Sequence, residues 1–441
     1  LLKPPSENDG LLSRFFAAFN RKFEVATDKF MVLTGFFTRS PGRAGMLLAR
    51  LTALLVLLFQ LVPGGFVPEE DQGYVLVSVQ LPDGASLQRT DLVMRKVEKI
   101  IASVDAIKNA TTIGGFSMLT SSLQSNAGAV FVQLKEWDDR PGIRNHAKNV
   151  IRLLNFKLHT QIPEAVAFAM GPPAIPGLGT GSGFTMVLQD RGGNTPEYLE
   201  QQTQLFLQAA LQRPEIASGF SAFRANVPQI SLDIDQAKAL KMGVALSDVN
   251  SAIGAFLGGA YVNDFNRFGR LYKVYVQAEP EYRADPSGID MFYVRSRDGD
   301  MVPLSTLTTI GRTIGPEFTN RFNLFRSAEI SGQPETGYSS AEALNALEEV
   351  AQQTLPSDMS YTWSNMSYQQ KAAEGSGSVV FLMALVFVFL ILAAQYESWS
   401  IPLSVLLGTP IAVFGAIGGL WLARMLPIVG ESYENNVFAQ I

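Results

Sequence analysis

The sequence predicts a membrane protein of the α+β class, with transmembrane helices and a large extracytoplasmic region built from βαβ units. Two observations lead to this class. Residues 379–394 contain no charged or polar side chain and residues 401–423 contain no ionisable one, and each run approaches the ~20 apolar residues with which a helix crosses a bilayer. Between residues 66 and 375, short strand patterns alternate with amphipathic helical patterns, which is the order of elements in βαβ units.

The two apolar runs predict transmembrane helices at residues 378–395 and 401–423. The loop between them, QYESWS, includes Tyr396 and Trp399, whose ring types concentrate at the membrane–water interface. Two core helices of a soluble protein are the alternative, but such helices are usually shorter and carry a polar stripe. Another apolar stretch predicts that a further transmembrane helix starts at residues 433–441.

The N-terminal stretch, residues 1–40, alternates phenylalanines with basic side chains. The phenylalanines that recur at helical spacing are Phe15, Phe19, Phe23 and Phe30. This pattern predicts an amphipathic, interfacial helix on a membrane surface. A soluble amphipathic helix is the alternative.

A third transmembrane helix is predicted at residues 44–62. Arg50 interrupts its apolar run near the basic end, where a long side chain can reach the interface. Arg39 and Arg43 precede this helix, and three acidic residues, 69–71, follow it. Because positive charge stays on the cytoplasmic side, residues 1–40 are expected in the cytoplasm and the region after residue 62 outside.

Composition excludes several classes of partner and site. The 441 residues carry a net charge of −5 with no basic stripe, which argues against nucleic acid as a partner. The absence of cysteine excludes disulfides and thiolate metal sites. The chain starts at Leu1 and ends within an apolar run, so we expect it to be a fragment of a longer protein.

The outside region, residues 66–375, contains the repeated strand and helix pattern. Strands are predicted at 74–80, 129–134, 165–170 and 184–188, and helices at 86–104, 144–159 and 196–211. A further helix begins at Ser339, where Glu342 completes a capping box, and stops at Pro356. Repeated short units of this kind predict ferredoxin-like split βαβ subdomains, with helices on one side of a sheet.

Residues 227–316 differ in character and predict a separate subdomain inserted into the repeat. A strand is predicted at 229–234 and another at 272–278. Asp298 and Gly299 form a DG turn between strands at 292–294 and 301–304, which is a strong hairpin signal.

Five motifs resemble the resistance-nodulation-division (RND) transporters of the hydrophobe/amphiphile efflux class. They are FVPEEDQG at 66–73, WDDRPG at 137–142, YVNDF at 261–265, MSYQ at 366–369 and YESWSIP at 396–402. They occur in family order over nearly the whole chain. The resemblance implies a piece of the C-terminal half of a pump, with periplasmic porter subdomains at 66–226 and 317–375 and a docking subdomain at 227–316.

The resemblance also implies a substrate pocket and a mobile loop beside it. The switch loop would be Gly114, Gly115, Phe116, Ser117 and Met118, and the pocket-lining side chains would be Phe116, Met118, Phe131, Phe168 and Met170, with Leu76 and Ser78 as looser matches. Ser117 and Met118 depart from the family's Phe-Gly-Phe pattern. An arginine that many relatives carry in the outer pocket aligns near Phe220, with Arg224 displaced. Without the resemblance, buried aromatic and Met residues are usually core.

The docking hairpin would comprise Arg297, Asp298, Gly299, Asp300 and Met301, and would face a periplasmic adaptor protein or an outer-membrane channel. The glycine-rich stretch 177–183 lacks the Gly-Lys-Ser/Thr ending of a phosphate loop, so a flexible linker at a cleft edge is expected. His146 and His159 are expected to be solvated surface side chains. No catalytic motif occurs, so no enzyme activity, cofactor or metal site is predicted.

As a whole, the resemblance implies part of a proton-driven multidrug pump in the bacterial inner membrane. It would be a homotrimer in contact with membrane lipid that exports amphiphilic, drug-like small molecules. The two apolar runs carry no ionisable group, so the proton-coupling residues are expected outside this chain. A membrane-anchored ligand-binding or sensory ectodomain is the alternative. A protein-export accessory would have a smaller outside region, and scattered Met residues disfavour a metal exporter.

Overall fold

The computed structural model describes residues 11–62, 64–68, 70–335, 337–373, 376–425 and Asn436. Residues 1–10 of the N-terminal segment lie outside the described residues. So does the segment 433–441, predicted to begin another transmembrane helix, apart from Asn436.

Two helices open the described chain: α1 (Leu11–Thr38) and α2 (Pro41–Leu61). Pro41 stands in the first turn of α2, where its missing N–H costs no hydrogen bond. The helix predicted from the phenylalanine spacing is confirmed as α1. Its side chains from Phe15 to Thr34 are exposed.

The first folded unit follows, and its four strands form one antiparallel sheet in the order β2-β3-β1-β4. Its elements are β1 (Tyr74–Gln80), α3 (Leu87–Ala102), β2 (Ile107–Ser117), β3 (Ser122–Leu134), α4 (Ala147–Gln161) and β4 (Val166–Met170). The order βαββαβ is that of a ferredoxin-like unit. Both helices cover one face, where Val77 and Val97 pack with Leu154 in the core. The opposite face of this sheet has no helix of the unit on it.

The second unit begins with β5 (Phe184–Asp190), α5 (Pro196–Ala210) and β6 (Ile216–Ser221). Thr195 caps α5, since the backbone N–H of Tyr198 donates to its Oγ1 over 3.4 Å. Pro196 takes the first helical position. Local capping chemistry therefore fixes the start of this helix where the sequence predicts it.

An inserted subdomain then leaves the unit on a two-stranded ribbon. Its elements are β7 (Val227–Ile234), α6 (Gln236–Lys241), α7 (Leu246–Ile253), β8 (Ala260–Arg267), β9 (Arg270–Val276), α8 (Pro280–Arg283), β10 (Tyr293–Arg295), β11 (Met301–Pro303), α9 (Leu304–Leu307) and β12 (Thr308–Gly315). β7 pairs with β12 from Ile234–Thr308 to Val227–Gly315. Val249, Phe292 and Leu304 belong to a core of its own. The predicted DG hairpin is present as β10 and β11.

The second unit resumes with β13 (Asn320–Phe322), β14 (Phe325–Pro334), α10 (Ser340–Thr354) and β15 (Met359–Trp363). The order β6-β14-β5-β15 repeats the topology of the first unit, with the insertion between β6 and β14. The predicted capping box is present, because Ser339 and Glu342 each accept the other's backbone N–H. Both units have the predicted split βαβ arrangement, with helices on one side of a sheet. Strands β2, β6, β14 and β15 were not predicted, and the side chains of β2 and β6 do not alternate between buried and exposed.

Four helices end the described chain: α11 (Asn365–Ala373), α12 (Ser376–Tyr396), α13 (Ser400–Leu406) and α14 (Thr409–Met425). By length and composition, Pro41–Leu61 and Ser400–Ala423 could each cross a membrane. The predicted single helix at 401–423 is broken at Gly408, just before Pro410, whose missing N–H cannot continue the helical hydrogen bonds.

The apolar helices do not all pack against their neighbours in the sequence. α12 contacts the short α13, whereas α14 packs along α2. Leu55 and Leu58 of α2 are buried against Ile417 of α14. The transmembrane segment predicted at 44–62 therefore packs against the one predicted at 401–423.

Candidate functional site

The helix-free face of the first sheet carries the side chains that the family resemblance assigns to a substrate pocket. Leu76 on β1 lies opposite Met170 on β4 and Phe131 on β3. Two residues further along β1, Ser78 lies opposite Phe168. Directly opposed residues of antiparallel strands point to the same face, so these residues form two adjoining rows.

Five of the predicted pocket residues meet in one apolar cluster, which we call the Phe/Met cluster. Its members are Leu76, Phe116, Met118, Phe168 and Met170, together with Leu119 and Ala129. The cluster is separate from the helix-side core of the same sheet. The tertiary structure thus gathers residues from all four strands and the β2–β3 turn. Their role in binding a ligand remains a prediction.

The other two predicted residues lie beside this cluster. Ser78 is buried in the row of Phe168 and places a hydroxyl beside the apolar side chains of the cluster. Phe131 is 41 % exposed and lies outside the cluster. Its ring therefore offers apolar surface that no part of the described chain covers fully.

The predicted switch loop is largely a strand. β2 continues to Ser117, and Phe116 pairs with Leu123 of β3. The register shifts between Gly114 and Phe116, and Gly115 has a φ of +80°. These are the marks of a β-bulge, which glycine accommodates without strain. The glycines bend a strand here, and only the turn at Met118 and the following residues is a loop.

Two contacts join this face to the second unit. The rings of Phe168 and Phe220, which lies on β6, are 4.7 Å apart between centroids. The Arg224 guanidinium donates to the carboxylate of Asp83 over 2.8 Å, across 141 residues of sequence. The helix-free faces of the two sheets therefore meet at Phe220, and a partly exposed ion pair lies beside the junction. Sequence reasoning treated Phe220 and Arg224 only as departures from a family pattern, and no local signal marks them as contacts.

Two carboxyl groups near this junction have raised pKa values. Burial raises the pKa of Glu317, nearby Asp83 raises it further, and Arg224 opposes both. Burial also raises the pKa of Glu329 on β14, against a hydrogen bond from Ser331. Ser331 pairs with Phe220, so Glu329 lies on the same face of β14 as that contact. Each glutamate loses its charge at a higher pH than an ordinary surface glutamate.

The glycine-rich linker between β4 and β5 runs along the edge of the cluster. A Cβ on Gly181 would lie 2.3 Å from the Met170 sulfur, and a Cβ on Gly183 would lie 2.1 Å from the carbonyl oxygen of Gly332. Gly183 also has a φ of +96°. At Gly183 the backbone approaches its neighbour so closely that only glycine fits, whereas a side chain at Gly181 would require the flexible Met170 side chain to move. The flexibility of this glycine-rich linker, which is expected from its composition, stays a prediction.

A cavity of about 330 Å³ lies on the other side of this linker. Residues from both units line it, among them Phe66, Pro173, Phe184, Tyr338, Met366 and Gln370. None of the seven predicted pocket residues does so. The cavity and the Phe/Met cluster are thus separate, although the linker that lines the cavity also passes beside Met170 of the cluster.

The first unit contains a buried ion pair between Arg140 and Asp71. Both terminal nitrogens of Arg140 donate to Asp71 over 2.6 Å, and the backbone N–H of Ala147 donates to the same carboxylate over 2.8 Å. Burial raises the pKa of Asp71, but hydrogen bonds from Arg140, Ala147 and Gly73 outweigh it and lower the pKa to about 2. Two of the sequence motifs, at 66–73 and 137–142, therefore meet in one clamp.

His146 belongs to the same region. Its Nδ1 accepts the backbone N–H of Lys148 over 3.4 Å, which caps α4, and its Nε2 lies 3.9 Å from Asp71. His146 is exposed, as predicted, but it stands at the start of α4 and not within the helix. Among the residues the structure describes, no three His, Cys, Asp or Glu side chains are grouped to hold a metal ion.

Comparison with known proteins decides the family. The profile of the AcrB/AcrD/AcrF family matches residues 1–430. The chain belongs to this family of RND multidrug efflux transporters. It is an efflux-transporter family, not an enzyme family, and the resemblance found in the sequence motifs is confirmed.

Three curated relatives illustrate how similar this AcrB/AcrD/AcrF-family chain is to known transporters. It is 38 % identical over 427 residues to the multidrug export protein AcrF of Escherichia coli K12, covering 95 % of this chain and 40 % of AcrF. It is 36 % identical over 447 residues to the multidrug resistance protein MdtF of Escherichia coli O157:H7, covering 100 % and 42 %. It is 34 % identical over 428 residues to the multidrug/solvent efflux pump membrane transporter MepB of Pseudomonas putida, covering 95 % and 40 %. The chain spans about two-fifths of the length of these relatives.

In this family member the predicted docking hairpin lies at the surface of the inserted subdomain. Arg297, Asp298 and Asp300 are exposed around Gly299, whose φ is +96°. A second hairpin of the subdomain, β8 and β9, which we call the arm, contains the YVNDF motif and most of the strand predicted at 272–278. Every residue of β9 is exposed, including Leu271 and Tyr275.

Proposed function

We propose that the chain is part of an inner-membrane multidrug efflux pump, and that amphiphilic compounds bind in the cleft between the helix-free faces of its two units. The observation that carries this proposal is the Phe/Met cluster, which meets the second unit at Phe220. Family membership supports the efflux activity. The alternative, a membrane-anchored sensory ectodomain, draws no support from the relatives, whose names describe multidrug export, multidrug resistance and solvent efflux.

The cluster suits ligands of varied shape. Met side chains adapt to irregular surfaces, and Phe rings offer large apolar area with preferred edge and offset contacts. Ser78, Arg224 and the two glutamates, 317 and 329, add a few polar groups at the margin of the apolar face. A pocket that is mainly apolar with few polar groups is typical of small-molecule sites.

Opening of the cleft requires the Phe168–Phe220 and Arg224–Asp83 contacts to separate. An aromatic pair contributes about 0.5–1.5 kcal/mol beyond its buried area, and an exposed ion pair about 0–1 kcal/mol. These contacts are weak enough for a bound ligand to shift the balance between closed and open arrangements, provided that it binds the open one better. We propose that the two units alternate in this way during transport.

In this proposal the proton coupling comes from other parts of the pump, whereas surfaces of this chain take part in its assembly. The apolar runs at 379–394 and 401–423 carry no ionisable side chain, so protonation would act through residues of the parent protein beyond this chain. The exposed apolar residues of the arm support association of three copies. The hairpin from Arg297 to Met301 would contact a periplasmic adaptor or an outer-membrane channel.

The test is alanine substitution in the full-length pump, expressed in a drug-sensitive bacterial strain. Phe116→Ala, Phe131→Ala and Phe168→Ala should each lower resistance to some compounds of an amphiphilic panel and leave others unchanged. Loss of a buried ring contact costs about 1.5–3 kcal/mol, which is about ten- to hundredfold in affinity for a compound that depends on it.

The matched control is Phe156→Ala on α4, since Phe156 is 69 % exposed and lies on a helix that covers the other face of the sheet. It should leave resistance to every compound unchanged. If all three cleft variants, at normal protein levels, also retain full resistance to every compound, the cleft is not the binding site.

A further inference from the structure

Helix α1 is a long surface with little protein packed on it. At 28 residues it is about 42 Å long, and its packing on the described chain is a small contact with α2. Every described side chain from Phe15 to Thr34 is exposed. Large apolar groups in such number rarely face water without a partner.

The phenylalanines of α1 form one stripe. At 100° per residue, Phe19, Phe23 and Phe30 fall within about 40° of one another. Phe19 and Phe23 stack with ring centroids 6.2 Å apart. The stripe therefore runs along the helix as a continuous apolar face.

Charge is unequally distributed around this stripe. Lys22 and Lys29, seven residues apart, fall on one border of it, and Thr27 and Thr34 fall on the other. Arg21 falls on the far side of the helix, near Glu24 and Asp28 by helical position. Only one border of the apolar stripe is therefore basic.

The covalent connection brings α1 to the membrane boundary. Two residues, Arg39 and Ser40, separate it from α2, which is long and apolar enough to cross a bilayer. The Arg43 guanidinium lies 4.3 Å from the centre of the Phe36 ring, which ties the end of α1 to the basic start of α2. The stripe thus begins at the level of the lipid headgroups.

We infer that α1, which the sequence predicts to lie in the membrane interface, selects anionic phospholipids there, with the phenylalanine stripe among the acyl chains and Lys22 and Lys29 on the phosphate groups. A basic border beside an apolar face fits negatively charged headgroups. This surface is remote in sequence from the cleft, and the inference does not rest on the transport proposal. Each lysine should enrich anionic over zwitterionic lipid about fivefold, the factor that corresponds to ~1 kcal/mol per basic residue at a membrane surface.

The absence of native cysteine allows a site-specific test on the whole chain. Ala26 lies four residues after Lys22 and three before Lys29, so Ala26→Cys places a fluorophore between them. The labelled chain is reconstituted in nanodiscs of equal phosphatidylglycerol and phosphatidylethanolamine, with bromine on the acyl chains of one lipid or the other. Stronger quenching by brominated phosphatidylglycerol than by the brominated zwitterionic lipid is the expected result.

Matched charge variants separate selectivity from general electrostatics. Lys22→Gln and Lys29→Gln should each reduce the preference for phosphatidylglycerol about fivefold, and Lys22→Arg should retain this preference. Arg21→Gln removes the same charge from the far side of the helix and should leave the preference unchanged. Equal quenching by the two lipids in the parent, or an equal effect of Arg21→Gln and Lys22→Gln, overturns the inference. Quenching by neither lipid also overturns it, because the stripe is then covered by protein.

Discussion

Replacing Arg140 by glutamine should destabilise the first unit severely. The Arg140 and Asp71 side chains are 2 % and 7 % exposed. Besides its two bonds to Asp71, the guanidinium donates to the carbonyl oxygens of Lys135 and Asn145 over 2.7 and 2.8 Å. Glutamine is too short to replace these bonds, so the buried carboxylate loses its charged donor and two carbonyls lose theirs. Breaking a buried pair in this way costs about 3–5 kcal/mol.

The expected loss is large enough for a simple assay. At about 2–4 °C per kcal/mol for domains of 150–250 residues, Arg140→Gln should lower the unfolding midpoint by roughly 6–20 °C. Tryptophan fluorescence of the detergent-solubilised chain measures this midpoint, because the Trp137 indole donates to the carbonyl oxygen of Asp71 over 3.2 Å. The control is Arg95→Gln. Arg95 pairs with Asp91 one helical turn away, with side chains 69 % and 56 % exposed, and such a pair contributes less than about 1 kcal/mol.

The Asp71–Arg140 pair also predicts how the free energy of unfolding changes at acid pH. The pKa of Asp71 is about 2 in the folded chain and 3.8 as its ordinary value. A lowered folded pKa gives stability that is complete above pH 3.8 and is lost as the pH falls towards 2, about 2–3 kcal/mol in all. Asp71→Asn should remove this part of the acid dependence, and Arg95→Gln should keep it. If Arg140→Gln unfolds at the same temperature as Arg95→Gln, the clamp contributes nothing and the reasoning is refuted.

Two further predictions concern the junction of the units. Phe168→Ala and Phe220→Ala should show a coupling free energy of about 0.5–1.5 kcal/mol in a double-mutant cycle of unfolding; strictly additive effects would contradict a direct ring contact. Gly183→Ala should lower the unfolding midpoint strongly, because φ is +96° and the new Cβ would lie 2.1 Å from the carbonyl oxygen of Gly332. Gly42→Ala in α2, with nothing within 4 Å, should be neutral or mildly stabilising, and equal midpoints for the two variants would refute the packing argument.

Local chemistry determined much of this protein from the sequence alone. The capping box at Ser339 and Glu342, the Thr195–Pro196 helix start and the DG turn at Asp298 and Gly299 each depend on residues within a few positions of one another, so their signals are visible in a single stretch. Length and hydropathy likewise indicated the apolar helices, and ordered motifs indicated the family.

Only the tertiary structure decided which distant residues meet. Asp71 and Arg140 are 69 residues apart, and Arg224 and Asp83 are 141 apart; nothing near either residue specifies its partner. The same holds for the insertion inside the second unit and for the packing of α14 on α2. The resemblance implied a loop at Gly114–Met118, and only the structure shows that β2 continues to Ser117 with a β-bulge at Gly115. Contacts of this kind arise when whole units pack together, and that packing depends on many weak interactions spread over the fold. No short segment of the sequence therefore specifies them.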